Sequence, residues 1–342
     1  MGNCNNSAVE PGSPDKTAEQ DGRFAGLNPK DEKARLALLN KPPPAAKKLD
    51  ETVEKDTFKL SLSVVDILQK VKRMISFPPD ADREKQTEQG PFEYPAEKEI
   101  KKLRGVYKGH FYASLRHGVG EMIWEDKSVY YGLWVNDKAH GVGVYIQPNG
   151  NYYLGAWENG MAEGKGVLVS QDGFKYEGDW KQDKQHGDGT EVWRDGSKYV
   201  GKYADSMKCG EGKFEWADGT RYEGLFSQNT MNGKGKFTWA DKRVYEGQWK
   251  DGKMDGEGVF TYPDGRVYTG QFSNDRRNGQ GTFSWPDGRK YIGKWKAGKQ
   301  EGEGSFYDNV TKKTYQGIWL NGFVTWKEGS GPTPPKIDKQ GE

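Results

Sequence analysis

The chain has 342 residues, of which 33% are hydrophobic and 13% aromatic, with a mean hydropathy of −0.99. That excludes a deep aliphatic core, while 12 tryptophans and 18 tyrosines argue against a chain disordered throughout. The net charge of +2 is spread evenly, which excludes the basic footprint of a nucleic-acid binder.

The N-terminus opens Met1-Gly2-Asn3-Cys4. Once methionine is removed, Gly2 is placed for a myristoyl chain and Cys4 for a palmitoyl chain. The usual myristoylation pattern has Ser or Thr at position 6; here Asn6 stands there and Ser7 comes one residue late. One acyl chain holds a bilayer only marginally, so Cys4 is the needed second anchor. No apolar run reaches the ~18–20 residues of a membrane helix, and none forms a signal-peptide core behind Met1.

Residues 1–55 read as a disordered tether, rich in Gly, Pro, Ser and charge, with a short helix over Asp31–Asn40 that Pro42-Pro43-Pro44 stops. Residues 56–77 predict an amphipathic helix, with Val64, Ile67, Leu68, Val71, Met74 and Ile75 on one stripe and a cap at Ser63. Phe58, Leu60 and Leu62 alternate, which leaves a short strand open there. This helix either packs on the domain that follows and covers apolar surface, or serves as a helix-in-groove target for a partner. Residues 78–102 read as a charged, Pro-containing linker.

From there a tyrosine recurs every 23 residues: Tyr107, Tyr130, Tyr153, Tyr176, Tyr199, Tyr222, Tyr245, Tyr268 and Tyr291, with Tyr315 after 24. Each opens a Tyr-x-Gly triplet, and eleven residues after each of the first nine comes a Gly-x-Gly, from Gly118/Gly120 to Gly302/Gly304. A fixed short period decides the architecture, and it speaks against a single-pocket enzyme. In one unit, Tyr245, Gly247 and Trp249 alternate with Glu246, Gln248 and Lys250, and Phe260 and Tyr262 alternate again further on. Period two marks half-buried strands, while Asp251-Gly252 and Pro263-Asp264-Gly265 mark turns. Each unit is thus one β-hairpin, and hairpins that cannot bury an apolar face alone must stack in series. Nine units and a partial tenth fill residues 103–326, and residues 327–342 read as a disordered tail. At ~4.8 Å between strands, the array is expected to be a twisted single-layer antiparallel ribbon roughly 90–100 Å long.

A glycine inside a strand weakens it unless something lies close to the backbone, so aromatic rings of neighbouring strands are expected to rest flat on these glycines. The ring four residues after each tyrosine forms a ladder: Phe111, Trp134, Trp157, Trp180, Tyr203, Phe226, Trp249, Phe272, Trp295 and Trp319. Two roles are open to it, the core of a thin sheet or the lining of a groove for a partner segment.

The triplets Tyr-x-Gly-x-Trp, the Gly-x-Gly and the Asp-Gly turn resemble the MORN (membrane occupation and recognition nexus) repeat family across residues 107–326, as in Tyr176-Glu177-Gly178-Asp179-Trp180 and His186-Gly187-Asp188-Gly189. The resemblance implies a β-hairpin ribbon, no intrinsic catalysis, and a scaffold at membranes or cytoskeletal structures, as in junctophilins, radial-spoke head proteins, protist cortical scaffolds and segments of plant phosphoinositide kinases. The match loosens at Glu125-Asp126-Lys127, at Asp241-Lys242 and over Tyr307–Lys313, where one residue is inserted.

The chemistry of an active site is not legible. His117, His140 and His186 occupy one repeat position, before the Gly-x-Gly, and Cys209 takes it in the fifth unit. Repeats roughly 10 Å apart cannot bring these groups to one metal, so no metal and no cofactor is expected. The Gly-x-Gly pairs open no helix and hence no phosphate site, and neither a nucleophile elbow nor the kinase signature set occurs. Three functions remain: a scaffold for partner proteins on the cytoplasmic face of a membrane or the cell cortex, a structural subunit of a cilium or axoneme with homodimer formation through terminal repeats, or direct binding of acidic phospholipid by the repeats.

Overall fold

The computed structural model describes residues 62–74, 97–100 and 105–327, so Gly2, Cys4, the helix expected over Asp31–Asn40 and the tail beyond Lys327 lie outside the described residues. Those residues fall into two compact units, 62–207 and 208–327.

The first unit opens with helix α1 (Leu62–Met74), which starts before Ser63 and so places that serine inside the first turn rather than at its cap. Ten strands follow: β1 (Glu97–Ile100), β2 (Gly105–Tyr112), β3 (Leu115–Trp124), β4 (Val129–Val135), β5 (Lys138–Ile146), β6 (Tyr152–Glu158), β7 (Met161–Val169), β8 (Lys175–Lys181), β9 (Lys184–Val192) and β10 (Lys198–Ala204). Each pairs antiparallel with the next. Strand β1 sits within the segment read as linker, where Glu97–Ile100 pair with Gly105–Lys108 of β2 and cover its edge.

The second unit repeats the plan in β11 (Met207–Glu215, whose first residue belongs to the first unit), β12 (Arg221–Ser227), β13 (Thr230–Thr238), β14 (Val244–Lys250), β15 (Lys253–Thr261), β16 (Val267–Ser273), β17 (Arg276–Ser284), β18 (Lys290–Lys296), β19 (Lys299–Asp308), β20 (Lys313–Leu320) and β21 (Phe323–Trp326). Consecutive strands are again antiparallel partners. The all-β repeat fold of consecutive hairpins is therefore present in both units.

Two turns alternate. Between β14 and β15, Asp251 (φ +50°) and Gly252 (φ +78°) make a two-residue turn of the type whose twist suits a hairpin. Between β15 and β16, Gly265 takes φ +86°, its N–H donates to the Tyr262 carbonyl at 3.0 Å, and the Asp264 carboxylate accepts the Arg266 N–H at 3.1 Å. The Asp-Gly pairs thus sit where a left-handed backbone is required.

One feature of the hairpins is not visible in the alternation. Between Gly247 and Trp249 the register slips, so that Asp255, Gly256 and Glu257 of β15 face Gln248 alone. The same bulge recurs in five more hairpins, while in β4–β5 and β8–β9 the slip comes one residue earlier, with Leu133 facing His140 and Asp179 facing His186. It is built on the first glycine of each Gly-x-Gly, which has φ +102° at Gly256 and +72° at Gly302. Bulges of this kind bend a strand and raise its twist.

Candidate functional site

The two faces of the sheet differ in chemistry. On the inner face, all nine repeat tyrosines from Tyr107 to Tyr291 are at most 2% exposed. Eight of the rings, from Tyr107 on Gly120 to Tyr291 on Gly304, lie on the second glycine of their Gly-x-Gly. A Cβ on Gly258 would stand 2.4 Å from Cε2 and 2.5 Å from Oη of Tyr245. Each hydroxyl also has a fixed partner. Tyr245 Oη donates to the Gln248 carbonyl at 2.9 Å, opposite the bulge, and the other eight repeat this at 2.8–3.3 Å. A carbonyl opposite a bulge has lost its ladder partner, and a buried hydroxyl needs an acceptor, so one bond satisfies both. The bulge N–H groups are met similarly, with Glu257 N–H donating to Gln248 Oε1 at 2.9 Å and Asp188 N–H to Asp179 Oδ2 at 3.0 Å.

The predicted ladder stands beside these tyrosines. Phe111, Trp134, Trp157, Trp180, Tyr203, Phe226, Trp249, Phe272, Trp295 and Trp319 are 2–9% exposed, which makes them core. Each unit carries an edge-to-face zigzag: Tyr245 meets Trp249 at 5.2 Å and Phe272 at 5.0 Å, and Tyr153 meets Trp157 at 5.1 Å and Trp180 at 5.0 Å. In five of the ladder tryptophans, Trp134, Trp157, Trp180, Trp249 and Trp295, Nε1 donates to a glycine carbonyl of the preceding hairpin, as Trp134 does to Gly120 at 3.1 Å and Trp249 to Gly235 at 3.2 Å. Burial pushes the tyrosine hydroxyls up, Tyr291 to about 12 and Tyr107, Tyr130, Tyr153, Tyr176, Tyr222, Tyr245 and Tyr268 further.

A second aromatic row, missed in the sequence, runs along the inner face of the second unit. Fifteen and seventeen residues after the tyrosines stand Phe214 and Trp216, Phe237 and Trp239, Phe260 and Tyr262, Phe283 and Trp285. Successive rings touch at centroid distances of 4.3–6.1 Å up to Phe306. The phenylalanines are buried, while Trp216, Trp239, Tyr262 and Trp285 are half-buried. Guanidinium groups of Arg243, Arg266 and Arg289 lie over Trp239, Tyr262 and Trp285 at 5.2, 4.9 and 5.6 Å. The turn aspartates Asp241, Asp264 and Asp287 pair with those arginines at 2.6–2.7 Å. The row has the same 23-residue interval as the ladder, so its signal was in the sequence.

On the outer face of the first unit, Leu68 of α1 is 5% exposed against Val129, Val144 and Ile146, with Ile67, Ile123, Tyr131, Tyr152 and Leu154 around them. Lys72 pairs with Glu121 and its Nζ lies 4.8 Å from the Tyr131 ring centre. Of the two fates open to this helix, α1 takes the packed one. The outer-face residues that match Tyr131 and Val144 are Leu154 and Val167 in the next repeat and Glu177 and Thr190 in the one after, so the apolar patch fades beyond the repeats that α1 covers.

The histidines stay apart, and among the described residues no three His, Cys, Asp or Glu side chains gather as a metal would require. Cys209 is half-buried and forms no disulfide among the described residues.

No curated protein matches the chain. Among solved structures, the Drosophila melanogaster SAS-4 (dCPAP) TCP domain, in complex with a proline-rich motif of Ana2 (dSTIL), is similar at 15% identity and TM-score 0.30, covering 52% of this chain and 90% of that one. The TCP10 domain of Danio rerio CPAP, in complex with a STIL peptide, is similar at 11% identity and TM-score 0.27, covering 69% and 99%. These likenesses are too slight to bear on function. The profile described as MORN repeat matches nine consecutive stretches, 107–129, 130–152, 153–174, 176–198, 199–221, 222–242, 245–265, 268–288 and 291–309. With its tyrosines, glycine pairs and turns each accounted for in that frame, the chain belongs to the MORN repeat family.

Proposed function

We propose that this chain is a non-enzymatic scaffold that holds partner proteins at the cytoplasmic face of a membrane or at the cell cortex, anchored through acyl chains on Gly2 and Cys4. The observation that carries the reading is the row Trp216, Trp239, Tyr262 and Trp285, whose half-buried rings repeat along one face. Aromatic rings that are apolar on one side and wet on the other are the side chains on which protein interfaces concentrate their energy. The buried ladder serves this indirectly, by fixing the interval between those rings. Intact-mass measurement of the native protein tests the anchor; a Gly2→Ala chain that stays fully on membranes sinks it. Proximity labelling tests the row. Trp239→Ala with Trp285→Ala is expected to lose neighbours that the parent labels, and an unchanged set of neighbours refutes that role.

A second reading, a structural subunit of an axoneme or cytoskeletal assembly, draws support from the terminal strand. Phe323 is 78% exposed and Leu320 65%, beside a β21 whose outer edge is unpaired among the described residues, a surface suited to another subunit or a second copy. Detergent-resistant retention on axonemes favours this reading, and detergent release favours the first.

A further inference from the structure

In the second unit the residue seventeen after the repeat tyrosine is a ring in four consecutive repeats: Trp216, Trp239, Tyr262 and Trp285. In the first unit the same position reads Trp124, Gln147, Ser170 and Trp193, which is no continuous row. The second-unit row differs from the core ladder in its hydrogen bonds. Trp134 and Trp249 spend their indole N–H on a glycine carbonyl. The indole N–H groups of Trp216, Trp239 and Trp285 donate to none of the described residues and are not buried, so they reach solvent.

The acceptors beside these rings are spent. In three turns one carboxylate takes two bonds from one arginine, its backbone N–H and its Nε: Asp241 from Arg243, Asp264 from Arg266, and Asp287 from Arg289. The carbonyls of Trp239, Tyr262 and Trp285 accept the N–H groups of Lys242, Gly265 and Gly288 at 2.9–3.0 Å. Asp308 takes the row's position in the ninth repeat. It accepts from the Val310 N–H and the Thr311 hydroxyl, and it feels the charge of Arg289. The row is thus balanced in charge. What it turns outward is donors: the indole N–H groups, and the guanidinium N–H groups that the aspartates do not take.

We infer that this row is a docking site for a proline-rich segment of a partner protein, bound in the polyproline II conformation. The inference rests on the proposed partner-binding role of the row and names the class of partner. Hydrogen bonding is the first match. A proline-rich chain offers free carbonyls and has no N–H at its prolines, which suits a surface of donors whose acceptors are spent. An α-helix has its carbonyls taken within itself, and an extended strand needs acceptors for its own N–H groups. Spacing is the second match. At ~4.8 Å per strand, rings one repeat apart stand ~9.6 Å from each other. Polyproline II, with three residues per turn at ~3.1 Å each, returns to the same side every ~9.3 Å. One proline of each turn therefore meets one ring, the contact by which aromatic-lined grooves hold such segments. Charge agrees with both. The paired arginines and aspartates leave no net charge for an acidic or basic partner to complement, so the occupant is uncharged where it crosses the rings.

The test uses the full-length chain and a fluorescein-labelled peptide of four Ala-Pro-Pro triplets, followed by fluorescence anisotropy. The expected result is saturable binding that does not change with salt, and no binding of a peptide of four Ala-Gly-Ser triplets. Trp239→Phe/Trp285→Phe keeps both rings and removes both donors. It is expected to weaken binding about thirtyfold at unchanged melting temperature. Trp124→Phe is expected to bind like the parent. No binding at millimolar peptide, equal binding of the Ala-Gly-Ser peptide, or a double Phe variant that binds like the parent overturns the inference. So does preference for an amphipathic helical peptide of equal length. Binding seen only in the Pro332→Ala/Pro334→Ala/Pro335→Ala chain also overturns it, because this chain's own prolines would then hold the row. Proximity labelling separates this inference from the reading beneath it. If Trp239→Ala with Trp285→Ala loses neighbours while the Ala-Pro-Pro peptide does not bind, the row keeps its partner role and the polyproline class falls.

Discussion

Gly258→Ala isolates the contact on which the fold turns. The new Cβ would stand 2.4–2.6 Å from three atoms of the Tyr245 ring, and Gly258 has no left-handed backbone to confuse the result. The ring cannot tilt freely, because it is fully buried, meets Trp249 and Phe272 edge-on, and is tied by its hydroxyl to Gln248. Overpacking of a tight site costs about 1–3 kcal/mol. If the ring is displaced instead, it forfeits a hydrogen bond of about 1 kcal/mol and two ring contacts of about 0.5–1.5 kcal/mol each. The expected loss is thus about 3 kcal/mol, read from urea denaturation of the full chain by tryptophan fluorescence. The decisive arm repeats the substitution in Tyr245→Ala. With the ring gone, Gly258→Ala is expected to be neutral or to stabilise by about 0.5–1 kcal/mol, because alanine loses less backbone freedom than glycine in a strand. An equal penalty in both backgrounds refutes the account of ring on glycine.

Two further outcomes follow from the core. Eight of the repeat tyrosines have hydroxyl pKa values raised by burial, to about 12 for Tyr291 and beyond for the others. Below pH ~10 folded and unfolded chains both hold these protons and stability is intact. Above it the unfolded chain ionises first, so each tyrosine removes about 1.4 kcal/mol per pH unit until its folded pKa is reached. Circular dichroism and phenolate absorbance should therefore change together in a steep step within about two units above pH 10. Gradual phenolate formation near pH 10 with the sheet signal preserved would contradict the burial argument. Leu68→Asp should free α1 at a local cost of about 2–4 kcal/mol while the repeats stay folded. Faster hydrogen exchange confined to α1 and the outer face of β4–β6 would show it, and unchanged protection would refute the docking.

The proposed partner row shows where sequence reading stopped short. Trp239, Tyr262 and Trp285 follow the same interval as Trp249 and Trp295, yet the sequence reading singled out only the ladder set, and alternation does not rank the exposure of rings on one face. Trp239, Tyr262 and Trp285 stand just past the ends of β13, β15 and β17, whereas Trp249 and Trp295 lie within β14 and β18. The bulge that shapes these hairpins goes with the positive φ of Gly256 and its equivalents, a backbone fact that composition does not reveal. Strand β1 was equally hidden, because Glu97-Lys98-Glu99-Ile100 has no alternating apolar face and forms by covering the edge of β2.

By itself the sequence determined the family, the hairpin per repeat, the turn types and the ring-on-glycine core. These rest on local rules of period, turn chemistry and backbone sterics that act within one 23-residue unit. The tertiary structure decided which aromatic rows are buried and that α1 lies on the apolar outer patch of the first repeats. The reason is physical. Exposure depends on neighbours brought together across strands, and those neighbours come from different repeats.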